Sequence, residues 1–598
     1  MSPRARQWWK SGPETVGHDV AETVLALQAN QTQRLQNFEL FELLYQPQSS
    51  VSSYGLNTGN RIQYNLCKSA GETVVSKMAK NEPAPQVVSI DGDYHVRTRA
   101  RNLTRFSQGL LYEQNAYAVG LDILRDALIY GTGVPKLTPV NGRVAMERIS
   151  PRNVFVDEVE TQWGPPHQFF EARLASRGKL LEMFGDSRAT LEDAPLDTTT
   201  SPVDMPPVGA TVSDNVLVFE AFYVTHSDAP GRHVIATKSG EVLLNESWDG
   251  ELPYYPLYYS RPVHGFWGEG LVELLMPVQS EINLICMQIT EMLISGATRY
   301  IFVNTASKVP DGQFTNNPAG NIIRWSGTIP PMVVSPTIVQ PELYTALERK
   351  IERGYALAGL SLLSAQSVKP PGLNSGVAQR EHKDSESDRF AFLGKQWEGL
   401  FMRLVRGGIA MSAKLLENGG SYVVQTPGNR FVQSIDLKNA QLESDAYVIQ
   451  THPVSSLPQD PAAKLQTVTE WAQAGWITPT HARRLMSMPD IDAFDSHEQA
   501  ALEWIEYVVG QITSGEVDDI PIEWQPDEID DLDAIAYVCR SEILLGKRGN
   551  LEPERIALLY KYMQLAVAMK QQMAPPPAPQ IQPAPEVPQL PPPLAGNQ

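Results

Sequence analysis

Basic residues are in short supply. Lys and Arg number 49 against 68 Asp and Glu in 598 residues, a formal net charge of −19. A protein that grips nucleic acid by neutralising phosphates carries a basic excess, because its affinity comes from counterion release. That class is excluded for the chain as a whole. The acidity serves either solubility or a surface that repels a duplex instead of holding it. Cysteine is scarcer still: Cys67, Cys286 and Cys539 are far apart and odd in number. No disulfide framework fits them, a reducing compartment does, and no closely spaced Cys/His set offers a structural zinc site. No run of eighteen apolar residues exists, so no membrane span is expected. The opening MSPRARQWWK is basic but lacks the apolar run of a signal peptide.

Catalytic motifs are missing too. A phosphate loop needs Gly, four residues, then Gly-Lys-Ser/Thr; GTGVPK at 131–136 is nearest and fails on spacing. Gly265, Gly268 and Gly270 stand in the wrong order for a dinucleotide fingerprint and read as a tight turn into a helix. Neither HExxH nor GxSxG occurs. Asp157, Glu158 and Glu160 are of the type that holds a divalent metal in nucleases, but without a basic catalytic partner they read as a solvated strand end. His382 with Asp384 reads as helix-surface polarity rather than a catalytic pair.

What is present is a long chain of ordinary globular composition, too long for one core. Many of its 46 prolines crowd into residues 574–598, a Pro/Gln/Ala-rich segment expected to be disordered. Residues 14–45 read as a helix from Val20, Val24, Leu27, Leu35, Phe38 and Phe41. Residues 60–81 read as a second helix, 86–90 as a short strand, and Tyr94–Tyr130 as a third helix closed by Gly131-Thr132-Gly133. From Val134 to Tyr259 short β-rich runs alternate with turns, at 154–158, 215–225, 233–238 and 241–246, with one short helix near 174–185 and a loop at 190–214.

A helix of about 28 residues follows from Gly270, roughly 40 Å long, with Pro277 in its first two turns. Apolar residues surround it almost completely, from Leu271 to Leu293, interrupted by Gln279, Glu281, Asn283, Gln288 and Glu291. This composition fits a helix packed between identical neighbours, but taken alone it fits the central helix of a large domain better. Short strands at 299–340 and a second helix at 342–360 complete a hairpin of long helices with a small β cap. An irregular loop at 361–376, a long helix from Val377 to Asn418, strands at 421–452 and helices from Pro458 to Met573 follow, one starting at Thr478-Pro479. Residues 490–533 hold fifteen Asp or Glu and no Lys or Arg, either a solvated face or, in many copies, an electronegative ring.

Four phrases, taken in order, resemble the portal (head-to-tail connector) family of tailed bacteriophages. DILRDALIYGTGVPKL at 122–137 is similar to that family's helix ending in a G-x-G turn before a strand. ISPRNVFVDE at 149–158 resembles its P-x-x-V/F-x-x-D strand. HGFWGEGLVELLMPVQSEIN at 264–283 resembles the opening of its stem, and LPQDPAAKLQTVTEWAQAGWIT at 457–478 the start of its crown. The resemblance covers roughly residues 15–570.

It implies a multidomain α+β portal-like fold: an α+β wing at 1–265 led by helices, a first stem helix at 266–298, and a β-rich clip at 299–340. A second stem helix at 341–360, a channel loop at 361–376, a long helix with wing strands at 377–455 and a helical crown at 456–573 would follow, with the Pro-rich tail last. It further implies a closed ring, usually of twelve copies, at one capsid vertex of the virion and assembled in the host cytoplasm. Double-stranded DNA would be packaged and ejected through it. The implied partners are the chain itself, the terminase, the major capsid or scaffold protein and tail adaptors, with no membrane, no cofactor, no metal and no catalytic residue. Lys369, Arg380 and Lys383 become candidates for facing DNA in the channel. Lys308 and Arg324 become clip candidates for contact with DNA, motor or adaptor. All five are equally well read as solvated surface. The competing functions are another head–tail structural protein, such as an adaptor or capsid subunit, or a terminase-like nuclease or ATPase. The missing phosphate loop weighs against the last.

Overall fold

A computed structural model describes residues 7–46, 64–89, 93–162, 164–185, 191–192, 214–226, 229–297, 300–302, 332–334, 341–361, 390–417, 422–427, 432–437, 447–451, 461–476, 489–515, 517–527 and 529–573. In chain order these form α1 (Val16–Asn30), α2 (Thr32–Tyr45), α3 (Leu66–Met78), β1 (Pro85–Ser89), α4 (Tyr94–Glu113) and α5 (Ala116–Tyr130). Then come β2 (Thr132–Val140), β3 (Arg143–Ile149), β4 (Val154–Phe155), β5 (Gln168–Ser176), α6 (Arg177–Met183), β6 (Asn215–Tyr223), β7 (Arg232–Thr237), β8 (Val242–Ser247) and β9 (Leu257–Tyr258). The chain continues with α7 (Leu271–Ala297), β10 (Tyr300–Phe302), β11 (Met332–Val334), α8 (Pro341–Leu357) and α9 (Ala391–Glu417). It ends with β12 (Val423–Pro427), β13 (Val432–Asp436), β14 (Tyr447–Thr451), α10 (Pro461–Gln473), α11 (Pro489–Ser514), α12 (Leu532–Arg548) and α13 (Pro553–Met573).

The fold is mixed α+β with several small antiparallel sheets, and the chain clusters into two compact units. The first comprises Met1–Val88, Arg101–Gln441 and Val448–Gln459; the second comprises Ser89–Ala100, Leu442–Tyr447 and Asp460–Gln598.

Two expectations need correction. Residues 14–45 are two helices, broken at Gln31, whose backbone leaves the helical region (φ −99°, ψ 8°) while its buried side-chain amide donates to the Val156 carbonyl at 2.9 Å. Residues 94–130 are also two helices, because Asn115 adopts a left-handed conformation (φ 48°) that Asn tolerates better than most residues. The short helix expected near 174–185 is Arg177–Met183, and it follows directly on β5 at Gln168–Ser176. Ser176 caps that helix by accepting from the Lys179 N–H.

In the first unit, β4, β5, β6, β7 and β8 form a five-stranded antiparallel sheet in that order, and β3, β2 and β9 form a three-stranded one. Side chains alternate across the larger sheet at period two. Phe170 and Ala172 of β5, Leu217, Phe219 and Ala221 of β6, and Val234 and Ala236 of β7 share a core with Trp8 and with Val16, Val20 and Val24 of α1. The opposite face presents Phe169 and Phe222, which pack with Val134, Ile149, Tyr254 and Phe266. Elsewhere in this unit Trp397 of α9 lies against Gly120 of α5, and its indole N–H donates to the Asn81 carbonyl at 2.9 Å.

The second unit is helical around a core that includes Ile505, Val508 and Ile512 of α11, Ile535, Cys539 and Ile543 of α12, and Leu559 and Tyr562 of α13. Asp531 caps α12 by accepting from the N–H groups of Asp533 and Ala534 at 3.2 and 3.0 Å.

Candidate functional site

The candidate site is the pair of helices α7 and α8, which pack on one another. The sequence gives α7 a single buried stripe. Leu271, Leu275, Gln279, Ile282, Cys286 and Ile289 recur every three or four residues, and all are buried. At the far end of the pair β10 and β11 pair in antiparallel register, Tyr300 with Val334 and Phe302 with Met332. The expected small β cap thus begins as a two-stranded ladder; residues 303–331 lie outside the described residues.

The near end is fixed by backbone contacts. Gly131 has φ 85°, and a Cβ there would stand 1.9 Å from the Gly268 carbonyl oxygen. A Cβ on Gly268 would in turn meet the Ser260 and Gly131 oxygens at 2.4 and 2.8 Å. The Gly268 N–H donates to the Thr132 hydroxyl at 2.9 Å, and the Tyr259 N–H to the Gly131 carbonyl at 3.1 Å. The glycines therefore do more than permit a turn. They let the segment leading into α7 lie directly on the turn that ends α5, so two phrases separated by about 130 residues meet.

A polar lock holds the middle. The fully buried Gln279 accepts from the Leu66 N–H at 2.8 Å, which satisfies an orphan donor at the N-terminus of α3. Its amide nitrogen donates to the Tyr64 carbonyl and to Asn283, each at 2.8 Å. From α8, the Tyr355 hydroxyl lies 3.0 Å from that of Tyr64 and 2.9 Å from that of Ser69. Gly354 lets α8 approach Leu66 and Val278 where a Cβ would clash. Lys350 of α8 pairs with Glu281 of α7 on the surface.

The other flank of α7 is different in kind. Leu284 and Met287 are 50% and 51% exposed, and Leu274 and Met292 are exposed as well. Between them stand the exposed polar residues Ser280, Gln288 and Glu291. Single exposed apolar residues are ordinary, but several along one helix flank mark a surface built for a partner. No helix among the described residues is long and apolar enough to cross a membrane.

A second concentration of chemistry lies in the same unit, inside the sheets. The alternation that turns apolar residues toward α1 turns Glu171, Arg173, Glu220, His233 and Glu246 the other way. Glu171 and Glu220 sit opposite one another across the β5–β6 ladder. Lys136 of β2, 1% exposed, reconciles them: its Nζ donates to Glu171 at 3.0 Å and to Glu220 at 2.5 Å. Tyr254 also donates to Glu171 at 3.0 Å, and Arg173 bridges Glu171 to Glu147. Burial works against the Lys136 charge, but Glu220 and Glu171 outweigh it and hold the ammonium above the usual lysine range. His233 stands between Glu220 (3.0 Å) and Glu246 (2.7 Å). Burial again opposes its charge, and the two carboxylates overcome this and raise its pKa. Every charge here has a partner within the chain, and the cluster lies among buried aromatic rings. It is a cohesive element of the fold that ties the two sheets together.

Of the residues singled out in the sequence, Lys308, Arg324, Lys369, Arg380 and Lys383 lie outside the described residues, as do His382, Asp384 and Thr478. The acidic trio at 157–160 is dispersed among different partners: Asp157 accepts from the Val159 N–H, Glu158 pairs with Arg34, and Glu160 accepts from the His167 N–H. Among the described residues no group of three or more His, Cys, Asp or Glu side chains is placed to hold a metal ion. Two sets of residues escaped the sequence reading. Lys136 carries no local signal, because a lone lysine in a strand reads as exposed. Arg261, Arg403 and Arg406 are brought to one groove from distant parts of the chain.

No protein-family model matches this chain, and no curated protein matches it. The functional reading rests on the helix pair, its exposed flank and the order of elements around it.

Proposed function

We propose that the chain is the portal protein of a tailed bacteriophage. It would form a closed ring, of twelve copies in the family it resembles, at one capsid vertex of the virion, through which double-stranded DNA is packaged and ejected. The single observation that carries this reading is α7 with its two faces. One is locked to α3 and α8 by Gln279, Tyr355 and the glycine contacts; the other carries Leu274, Leu284, Met287 and Met292 into solvent. In a head-to-tail ring each copy touches two neighbours through different surfaces, and rotation closes the set. A helix satisfied by its own chain on one side and unsatisfied on the other has the composition such a contact needs.

In this reading α7 and α8 form the stem, β10 and β11 begin the clip, the five-stranded sheet belongs to the wing, and α10–α13 form the crown. The chain has a structural role and no catalytic one. Acidity then has a mechanical use: a conduit that bound phosphate tightly would retard translocation, whereas a ring of chains each at −19 repels the duplex from its wall. Lys369, Arg380 and Lys383 remain the proposed points of light contact with the backbone, and Lys308 and Arg324 those for DNA, motor or adaptor. The proposed partners are the terminase, the major capsid or scaffold protein and tail adaptors. Negative-stain microscopy of the purified chain tests the reading: rings with an axial hole are expected. Monomers, extended sheets, or robust ATPase or nuclease activity in the same preparation would overturn it.

A further inference from the structure

One concave surface of the first unit is charged against the trend of the chain. A groove of about 800 Å³ has Phe169 and Phe266 among its lining and gathers Arg261, Arg403 and Arg406. Glu251 is the one carboxylate among its lining residues. Arg403 donates to the Pro256 carbonyl at 2.9 Å, and none of the three guanidiniums has a carboxylate partner among the described residues. Burial, reinforced by the neighbouring charge of Arg261, pushes the Arg403 guanidinium below its ordinary value. Arginine nevertheless stays charged in proteins, so the groove holds unmet positive charge beside aromatic rings.

The second unit carries the opposite surface. Between α11 and α12, the described runs Val517–Asp527 and Ile529–Asp531 hold Asp518, Asp519, Glu523, Asp527, Asp530 and Asp531, with no Lys or Arg. Ile522 and Ile529 project from this loop 85% and 92% exposed, far more than a solvated acidic face requires. Pro521 and Pro526 stiffen it. Asp518 and Asp519 are engaged by Arg555 and Lys561, while Glu523 has no ion-pair partner among the described residues.

We propose that the arginine-lined groove of one copy receives the acidic, isoleucine-bearing loop of a second copy. Carboxylates of the loop would meet the guanidinium forks in charge-assisted hydrogen bonds, and the isoleucines would pack on the partly exposed Leu252, Tyr258 and Pro262 of the groove. A duplex is too stiff to bend into a concave groove of this size, which favours a peptide loop over nucleic acid as the occupant. The contact is heterologous, groove to loop, the type from which rings are built. The proposal rests on the self-assembly reading and adds a second contact to the α7 flank.

The test is charge reversal with complementary mixing, read as the concentration at which half the chain is assembled, by mass photometry. Circular dichroism and thermal melting check that each variant folds. Arg403→Glu/Arg406→Glu in one chain and Glu523→Lys/Asp527→Lys in another should each raise that concentration by about ten-fold or more. The neutral Arg403→Gln/Arg406→Gln should lie between wild type and reversal. An equimolar mixture of the two reversed chains should recover assembly, because every groove can then meet a loop of opposite sign on its neighbour. Variants that assemble like wild type overturn the contact while leaving the ring intact. Reversals that weaken assembly without recovery on mixing overturn docking between copies. Charge-dependent dimers or open chains without rings support the contact and overturn the portal reading. A wild-type chain that stays single at every concentration overturns both.

Discussion

The five-stranded sheet and the α7–α8 pair place their residues in opposite ways. The sheet hides charge: Lys136, Glu171 and Glu220 are withdrawn from water and complete one another within a single chain. The helix pair does the reverse, burying polar Gln279 with all its bonds made and leaving Leu284 and Met287 in solvent. A buried ion cluster gains little over an apolar core, but it penalises every arrangement that leaves one member alone. It acts as a specificity device for the packing of two sheets. An exposed apolar flank has no such closure inside the chain and is completed only by a neighbour. One region finishes its chemistry alone, and the other leaves it for assembly.

The largest effect should come from breaking the first region. Lys136→Met leaves two buried carboxylates without their cation and should cost about 3–5 kcal/mol, lowering the melting temperature by roughly 10 °C. Adding Glu171→Gln and Glu220→Gln should recover most of that loss, and a calorimetric scan of the three chains checks it. Next comes the joint that aims α7. Gly268→Ala drives a Cβ onto two backbone oxygens and should cost about 3 kcal/mol, read as a drop in denaturant midpoint.

A smaller effect follows pH. The pKa of His233 is raised above its ordinary 6.5, so its contribution is complete below about 6.5 and is lost as pH rises through the folded value. Glu220 and Glu246 are lowered from 4.5, Glu220 because Lys136 and His233 outweigh its burial, and Glu246 through its bond to His233. Their contributions are present above 4.5 and lost as pH falls through the folded values. The sheet should therefore be most stable between about 4.5 and 6.5, and His233→Gln should flatten the decline on the alkaline side of a melting-temperature profile. Smallest for the single chain is Leu284→Ser with Met287→Ser, which should change its stability by no more than about 0.5 kcal/mol while weakening assembly. A large loss of fold stability in that variant would mean that the flank packs within the chain.

The sequence carried much of this at the level of elements. The alternating runs at 215–225, 233–238 and 241–246 became β6, β7 and β8, and the long helix starting beside Gly270 is α7, 27 residues long. The strand that ties these together was illegible for a physical reason. β5 places Glu171 and Arg173 on a buried face, so its alternation is charged where a strand is expected to be apolar. The helix breaks at Gln31 and Asn115 lack the Gly or Pro that marks a boundary, since a side-chain bond makes one and a left-handed Asn the other. The arginine groove could not be read at all. Arg403 and Arg406 share a face of α9, but Arg261 joins them only through the fold. In the helix pair the interrupting polar residues proved to be of two kinds: Gln279 is an internal cap, and Gln288 and Glu291 are surface.

The most direct test of the central claim is the assembled mass of the wild-type chain beside Leu284→Glu/Met287→Glu. The account predicts a uniform ring-sized species for wild type and a folded single chain of 66.2 kDa for the variant. Wild type fixed at 66.2 kDa at all concentrations, or a variant that assembles as wild type does, would contradict it.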